Sequence, residues 1–439
     1  MSASSSAPGA QPQRFAAYLQ RLAQAAKHAD RSVPLQSYCT GLLLPGERKS
    51  IEPMAARLAP GEVCRMHQSL HHFVANAPWS DNALLESVRQ YVLPLMKRNG
   101  PVAAWIVDDT GFPKKGTHSV GVARQYCGQL GKQENCQVAV SLSVATQHAS
   151  LPITWRLYVP EIWAKDRKRR KTAGIPEELP FATKPEMALQ QIRQAMEEEV
   201  PTAPVLADTA DGNDSQFREE LSKLGLTYAL GVKTSTTVWR AGEAPLPAKP
   251  WKGLGRPPKL LRRDKQHQPL AAKQLALSLS PHSWKTVCWR EGTQQKLRSR
   301  FAALRVRVAH RDFKRSALRA EEWLLIEWPT GKSEPQQYWL STLPAHTELA
   351  ALVKLAKQRW IIERDYEELK QELGLGQYEG RGWRGFHHHA TLCITAYGFL
   401  IAERSRFPPS ARACQLELRT PEIPPDYRPR GTPRARRAA

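Results

Sequence analysis

The hydrophobic period of this 439-residue chain changes near residue 100, and that change restricts the fold more than any other feature. From Phe15 to about Asn99, apolar residues recur at helical spacing, as in Phe15-Ala-Ala-Tyr-Leu-Gln-Arg-Leu. Ser80 stands where an N-cap belongs, just before Asn82-Ala-Leu-Leu-Glu-Ser-Val-Arg-Gln-Tyr-Val. Pro45-Gly46 and Pro60-Gly61 break this helical stretch. Beyond it, Val102–Val107 is a continuous apolar run that meets Asp108-Asp109-Thr110-Gly111, which reads as a strand entering a turn. Cys136–Val144 alternates as a second strand, and Leu151–Val159 reads as a third. Lys184–Glu199 is helical, with Met187, Ala188, Ile192 and Met196 on one face. Val205–Ala207 is a fourth strand ending at Asp208, Gln216–Leu224 a helix and Leu226–Val232 a fifth strand. The order βββ-α-β-α-β predicts a mixed α/β sheet. Further on, Trp323–Trp328 and Tyr338–Ser341 read as strands, His346–Leu373 as one long helix and Ala390–Ala402 as a core helix.

The charge is uneven. The chain carries 64 Lys+Arg against 41 Asp+Glu, a net charge of +23. Residues 233–315 hold twenty basic and four acidic side chains, and residues 404–439 hold nine Arg, three acids and seven Pro. Such a bias predicts a polyanionic partner, nucleic acid before an anionic membrane surface, and disfavours small-molecule chemistry as the main activity. The tail reads as a disordered basic arm. The central block instead alternates, as in Leu304-Arg-Val-Arg-Val308, the pattern of a half-buried strand with a basic outer face. No run reaches the ~18 apolar residues of a membrane span, so no membrane partner is expected. Residues 1–13 lack the apolar core of a signal peptide. The seven Cys are scattered without a C-x-x-C pair, which supports neither a disulfide framework nor a zinc site. A reducing cytoplasm is expected.

Three acids carry the candidate chemistry. Asp108 ends the first strand, Asp208 ends the fourth, and Glu363 lies in the long late helix. Carboxylates at neighbouring strand ends, joined by one from a helix, suit two hard divalent cations. Two such ions clamp the attacking and leaving oxygens of a phosphodiester displacement. Asp109 competes with Asp108, and Asp211 with Asp208. On the late helix, Arg359, Glu363 and Lys370 fall within about 40° of one another, a single stripe. The same spacing also describes an ordinary exposed face with i,i+4 ion pairs. Lys114, Lys115 and Arg124 follow the first acid and are candidate phosphate contacts.

These residues carry a family resemblance. Arg359-Trp-Ile-Ile-Glu363 followed by Lys370 resembles the R-x3-E-x6-K signature of IS4-like DDE transposases. The chain resembles the IS701 family of insertion-sequence transposases more closely. The matching stretches are Arg48-Lys-Ser-Ile-Glu-Pro-Met-Ala, Trp105-Ile-Val-Asp-Asp-Thr-Gly-Phe-Pro-Lys-Lys-Gly-Thr-His-Ser-Val-Gly-Val and Arg124-Gln-Tyr-Cys-Gly-Gln-Leu-Gly-Lys. Val205-Leu-Ala-Asp and Glu379-Gly-Arg-Gly-Trp-Arg-Gly-Phe-His-His-His follow in order. The resemblance implies an RNase H-like mixed-sheet catalytic core, a β-rich insertion and an N-terminal all-helical domain. It implies Asp108, Asp208 and Glu363 as catalytic metal ligands for two Mg2+ or Mn2+ ions, with Arg359 and Lys370 on phosphates. It implies cut-and-paste transposition of DNA, with terminal inverted repeats and target DNA as partners and a homodimer in the synaptic complex.

The expected layout is residues 1–13 disordered, 14–100 a helical DNA-binding domain, 101–232 the first part of the core, 233–342 the basic insertion, 343–403 the second part and 404–439 a disordered tail. One departure stands out: the family's Tyr, three residues before the Arg, is Ala356 here, with another aromatic such as Tyr366 as a candidate substitute. A catalytically silent DNA-binding descendant and a metal-dependent nuclease with the same core are the alternatives. Gly255-Arg256-Pro257 reads as a basic turn or a minor-groove hook. His387-His388-His389 cannot ligate one ion together, since consecutive side chains on a helix diverge, and reads as packing or phosphate contact. Trp284 and Trp289 are candidates for base stacking or core packing.

Overall fold

The N-terminal helical period becomes five helices: α1 (Ala10–Ala25), α2 (Ser32–Leu43), α3 (Ile51–Leu58), α4 (Val63–Ala75) and α5 (Asp81–Lys97). Ser80 caps α5 by accepting the Ala83 N–H at 3.2 Å. The computed structural model describes residues 10–291 and 296–407, so the expected disorder of 1–9 and 408–439 lies outside the described residues. Within them, α1 already begins at Ala10, inside the segment expected to be disordered.

Next come β1 (Ala104–Pro113), β2 (Ala123–Cys127), β3 (Lys132–Ala145), β4 (Ser150–Leu157), α6 (Glu161–Ala164), α7 (Arg167–Ala173), α8 (Lys184–Glu197), β5 (Val205–Ala207), α9 (Thr209–Gly212), α10 (Ser215–Lys223) and β6 (Tyr228–Gly231). Two expectations change here. The strand carrying Asp108 does not end at it. β3 pairs with β1 from Ala104↔Ala145 to Pro113↔Cys136, and this ladder carries β1 through both aspartates. β2 is an extra strand, antiparallel to β3, whose Arg124 and Tyr126 face solvent and so leave little apolar signal.

The basic segment adds β7 (Thr237–Trp239), β8 (Leu270–Ala271), α11 (Ala272–Leu277), β9 (Lys285–Glu291) and β10 (Lys296–Val308), followed by β11 (Glu322–Trp328) and β12 (Gln337–Ser341). β12 pairs antiparallel with β6, at Leu340↔Leu230, and β11 and β10 follow outward. The basic half therefore continues the sheet of the first half, giving the order β2-β3-β1-β5-β6-β12-β11-β10-β7-β8 among the described residues. β4 also pairs with β3, and β9 with β10. Some of the positive charge is absorbed by the fold. Arg305 and Arg307 are half-buried and donate to the carbonyls of Glu321 and Arg319.

The chain closes with α12 (Leu349–Lys357), α13 (Trp360–Gln371) and α14 (Trp383–Arg406). The single long helix expected over 346–373 is thus two. At the break, the Ile361 and Ile362 N–H groups reach back only three residues, to Gln358 and Arg359. Three successive side chains there are drawn to different partners. Lys357 pairs with Glu327 at 2.9 Å, Gln358 donates to Thr146 O at 2.8 Å, and Arg359 pairs with Asp108 at 3.1 Å. α14 runs past Ala402, which places Arg404 in the helix, paired with Glu368 at 2.7 Å, and not in a tail. α14 packs against α5, α2, α4 and β4, joining the helical region to the sheet.

Candidate active site

The sheet itself brings two carboxylates together. β1 and β5 run parallel in the register Trp105↔Val205 and Ile106↔Leu206, and extending that register sets Asp208 beside Asp108. β5 stops at Ala207, and Asp208 turns out of the sheet as the N-cap of α9. Its Oδ1 accepts the N–H groups of Ala210 and Asp211 at 2.7 and 3.3 Å. The turn needs close backbone approach, since a Cβ on Gly212 would lie 2.1 Å from Gly231 O. Asp108 and Asp109 are successive strand residues and leave opposite faces of β1. Asp108 Oδ2 meets Arg359 Nη1 at 3.1 Å, whereas Asp109 Oδ2 meets Lys184 Nζ at 2.7 Å.

Arg359 links the third acid. Its Nη2 lies 3.1 Å from Glu363 Oε1, so one guanidinium spans Asp108 and Glu363. The Glu363 side chain is 67 % exposed and that of Asp108 14 %. Burial pushes the Asp108 carboxyl up to about 7; Arg359 opposes the rise, and Asp208 and Asp109 add to it. Burial, then Asp208, likewise pushes Asp211 up to about 7. Burial works against the charge of Arg359, but Asp108, Glu363 and Asp208 outweigh it and raise its pKa. Among the described residues no three His, Cys, Asp or Glu side chains already sit together as a metal cage. The donor chemistry nevertheless fits a hard divalent cation, because the donors are carboxylate oxygens and the charges of Asp208 and Asp109 reach the Asp108 carboxyl.

Lys370 also reaches β1. Its Nζ donates to Gly111 O at 2.9 Å and Gln129 Oε1 at 3.2 Å, and burial pushes its pKa down to about 8. Lys114 turns away to Tyr378 O at 2.8 Å, while Lys115 and Arg124 are exposed on the segments after β1. Ala356 is buried in α12. Tyr366, on α13, bonds Ser141 Oγ at 2.7 Å, and Asp108 is among the charges raising its pKa.

Sequence reasoning missed two residues. Lys184 neutralises Asp109, yet in the sequence it is only the first residue of a helix. Asp365 is fully buried and accepts from the hydroxyls of Ser150 and Tyr397, a role that no local pattern announces. The three histidines are buried packing groups on α14. Trp289 lies under Lys357 at 4.6 Å, and Trp284 meets Trp328 edge-on at 5.2 Å.

The chain matches the family described as DDE superfamily endonuclease over residues 21–296, a stretch that contains Asp108 and Asp208 and ends before Glu363. It is also similar to the probable transposase for insertion sequence element IS701 from Microchaete diplosiphon, at 31 % identity over 169 residues. That match covers 38 % of this chain and 41 % of the relative.

Proposed function

The chain belongs to the DDE superfamily endonuclease family, and on that premise we propose that it is an insertion-sequence transposase acting on DNA. The observation that carries this reading is the parallel register that sets Asp208 beside Asp108, with Glu363 tied to Asp108 through Arg359. The strand order β4-β3-β1-β5-β6, with β5 and β6 parallel to β1, supports an RNase H-like core. Asp108, Asp208 and Glu363 would hold two Mg2+ or Mn2+ ions, which when bound supply the charge that activates a water and stabilises the leaving oxygen. Its opposite face and its pairing with Lys184 support leaving Asp109 out of that set. Arg359 and Lys370 orient the phosphates of the cleaved strand, and Lys115 and Arg124 extend the track outward. Lys114 joins that track on releasing Tyr378 O.

Cleavage frees a 3′-hydroxyl at each end of the element. Its oxygen then attacks a phosphodiester of target DNA, forming one new bond and releasing a 3′-hydroxyl of the target strand. Joining two ends calls for two active sites, so a homodimer holds the inverted repeats. The helical region of residues 14–100 reads the ends, and the basic strands of 233–342 hold flanking DNA.

The test is to incubate the full chain with Mg2+, a fragment carrying the inverted repeats that flank its gene, and supercoiled target DNA. Nicked ends and joined products are expected, and Glu363→Gln should remove both. Nicking without joining would identify a nuclease. Binding without nicking would identify a silent DNA-binding protein.

A further inference from the structure

The segment between β7 and β8 holds a surface that the active site does not use. Leu246 and Arg262 form an isolated antiparallel bridge, each donating its N–H to the other's carbonyl at 2.9 Å, and so close the base of a loop. The base is anchored. Leu261 donates its N–H to Arg315 O at 2.8 Å, and Arg263 pairs with buried Asp312, which also accepts from Trp239 Nε1 at 2.7 Å. The tip is different. Leu254 is 89 % exposed, Trp251 55 % and Leu260 53 %. The Trp251 indole N–H donates to Gly255 O at 3.2 Å, which folds the tip on itself. Gly253 and Gly255 have φ of +83° and +73°, so the tip turns through two left-handed positions. Lys249, Lys252, Arg256 and Lys259, all exposed, are interspersed with these apolar residues along the loop, and no acid lies between Glu243 and Asp264.

Three exposed large apolar side chains on one short loop are a candidate contact surface. Four cations without an acid among them select a polyanion. We propose that loop 247–261 is a DNA-bending wedge, in which Leu254, backed by Trp251, enters the minor groove of a duplex. Lys249, Lys252, Arg256 and Lys259 hold the phosphates on either side. Apolar side chains inserted between base steps kink duplexes by about 20–90° toward the major groove. The inference rests on the reading of this chain as a DNA-acting protein and adds to it an interaction remote from the carboxylates. The consequence is a preference for target or flanking DNA that bends easily.

The test uses the full chain and a duplex labelled at both ends for energy transfer. Wild type is expected to bind and to shorten the end-to-end distance. Leu254→Ser and Trp251→Ala should bind within a few-fold of wild type and leave the duplex straight. The pair Lys252→Gln with Arg256→Gln should lower the slope of log affinity against log salt by about 0.9 for each phosphate no longer neutralised. Bending by Leu254→Ser equal to wild type overturns the wedge while leaving DNA action intact. Wild type that binds DNA without bending it does the same. No binding of DNA by wild type overturns both. Adsorption to anionic lipid vesicles that Leu254→Ser abolishes, with bending unchanged, would assign the loop to a membrane surface instead.

Discussion

The carboxylate site and the seam between the N-terminal helices and α14 are both rich in titratable groups, but they are built on opposite terms. In the seam, His388 lies with one ring nitrogen 3.0 Å from Val74 O and the other 3.0 Å from Trp79 O, and its ring stacks on Trp79 at 3.6 Å. His389 meets Tyr38 Oη at 2.8 Å and Gly374 O at 3.0 Å. Burial pushes both imidazoles down to about 4, so these two rings are neutral near pH 7. Phe399 packs beside the rings of Phe15 and Tyr18 at 4.8 and 5.7 Å. In the site, by contrast, Asp108, Asp208 and Asp211 crowd together, and burial and mutual repulsion hold two of them near 7. The seam keeps its histidines uncharged and stabilises the fold. The site retains repulsion that Arg359 only partly offsets. Stability and chemistry are therefore separable by substitution.

The largest expected effect is at the site. Asp208→Asn or Glu363→Gln should lower nicking by ~10^3-fold or more, the scale seen when a charge-stabilising group is lost, with the melting temperature held. A seam variant that lowered nicking per folded molecule as much would break the contrast. Phe399→Ala should do the reverse. It opens a cavity in the seam and should cost about 3–5 kcal/mol in urea unfolding, with nicking per folded molecule unchanged.

A smaller effect concerns pH, and the two regions oppose each other. His388 and His389 have pKa values lowered from 6.5 to about 4, so their contribution is complete above 6.5 and is lost as pH falls toward 4. Asp108 is raised from 3.8 to about 7, so its contribution is present below 3.8 and is lost as pH rises through 7. Melting temperature without divalent ions should therefore peak between these limits. His389→Gln should flatten the acid limb and Asp108→Asn the alkaline limb. Unchanged limbs in both variants would refute the contrast. The smallest effect sharpens the choice between neighbours. Asp109→Asn should change nicking by less than about tenfold, the weight of one partly exposed ion pair. A loss as deep as that in Asp108→Asn would place the first ligand on the wrong face of β1.

Local pattern foretold much of this architecture. The period change at residue 100, the run into Asp108 and the short strand before Asp208 are all signals within one element. The sequence stripe Arg359–Glu363–Lys370 also has a structural counterpart, since Arg359 and Lys370 both touch β1. The parts not foretold depend on partners distant in the chain. β1 runs past its aspartates because β3 pairs with it along its whole length. The long late helix breaks because Glu327, Thr146 and Asp108 draw three successive side chains apart. Lys184 meets Asp109 across 75 residues, and no spacing rule reaches that far. The basic block reads as a separate insertion from its charge, whereas β12 fuses it to β6 through backbone bonds that composition does not encode.

The most direct test of the separation between fold and chemistry is a single protein, Asp108→Asn, measured twice at pH 8, first without divalent ions and then with Mg2+. Without divalent ions its melting temperature should exceed that of wild type, because burying an ionised carboxylate beside Asp208 no longer costs anything. With Mg2+ it should neither nick inverted-repeat DNA nor gain the stabilisation that wild type gains. A melting temperature below that of wild type, or nicking at the wild-type rate, would contradict the account.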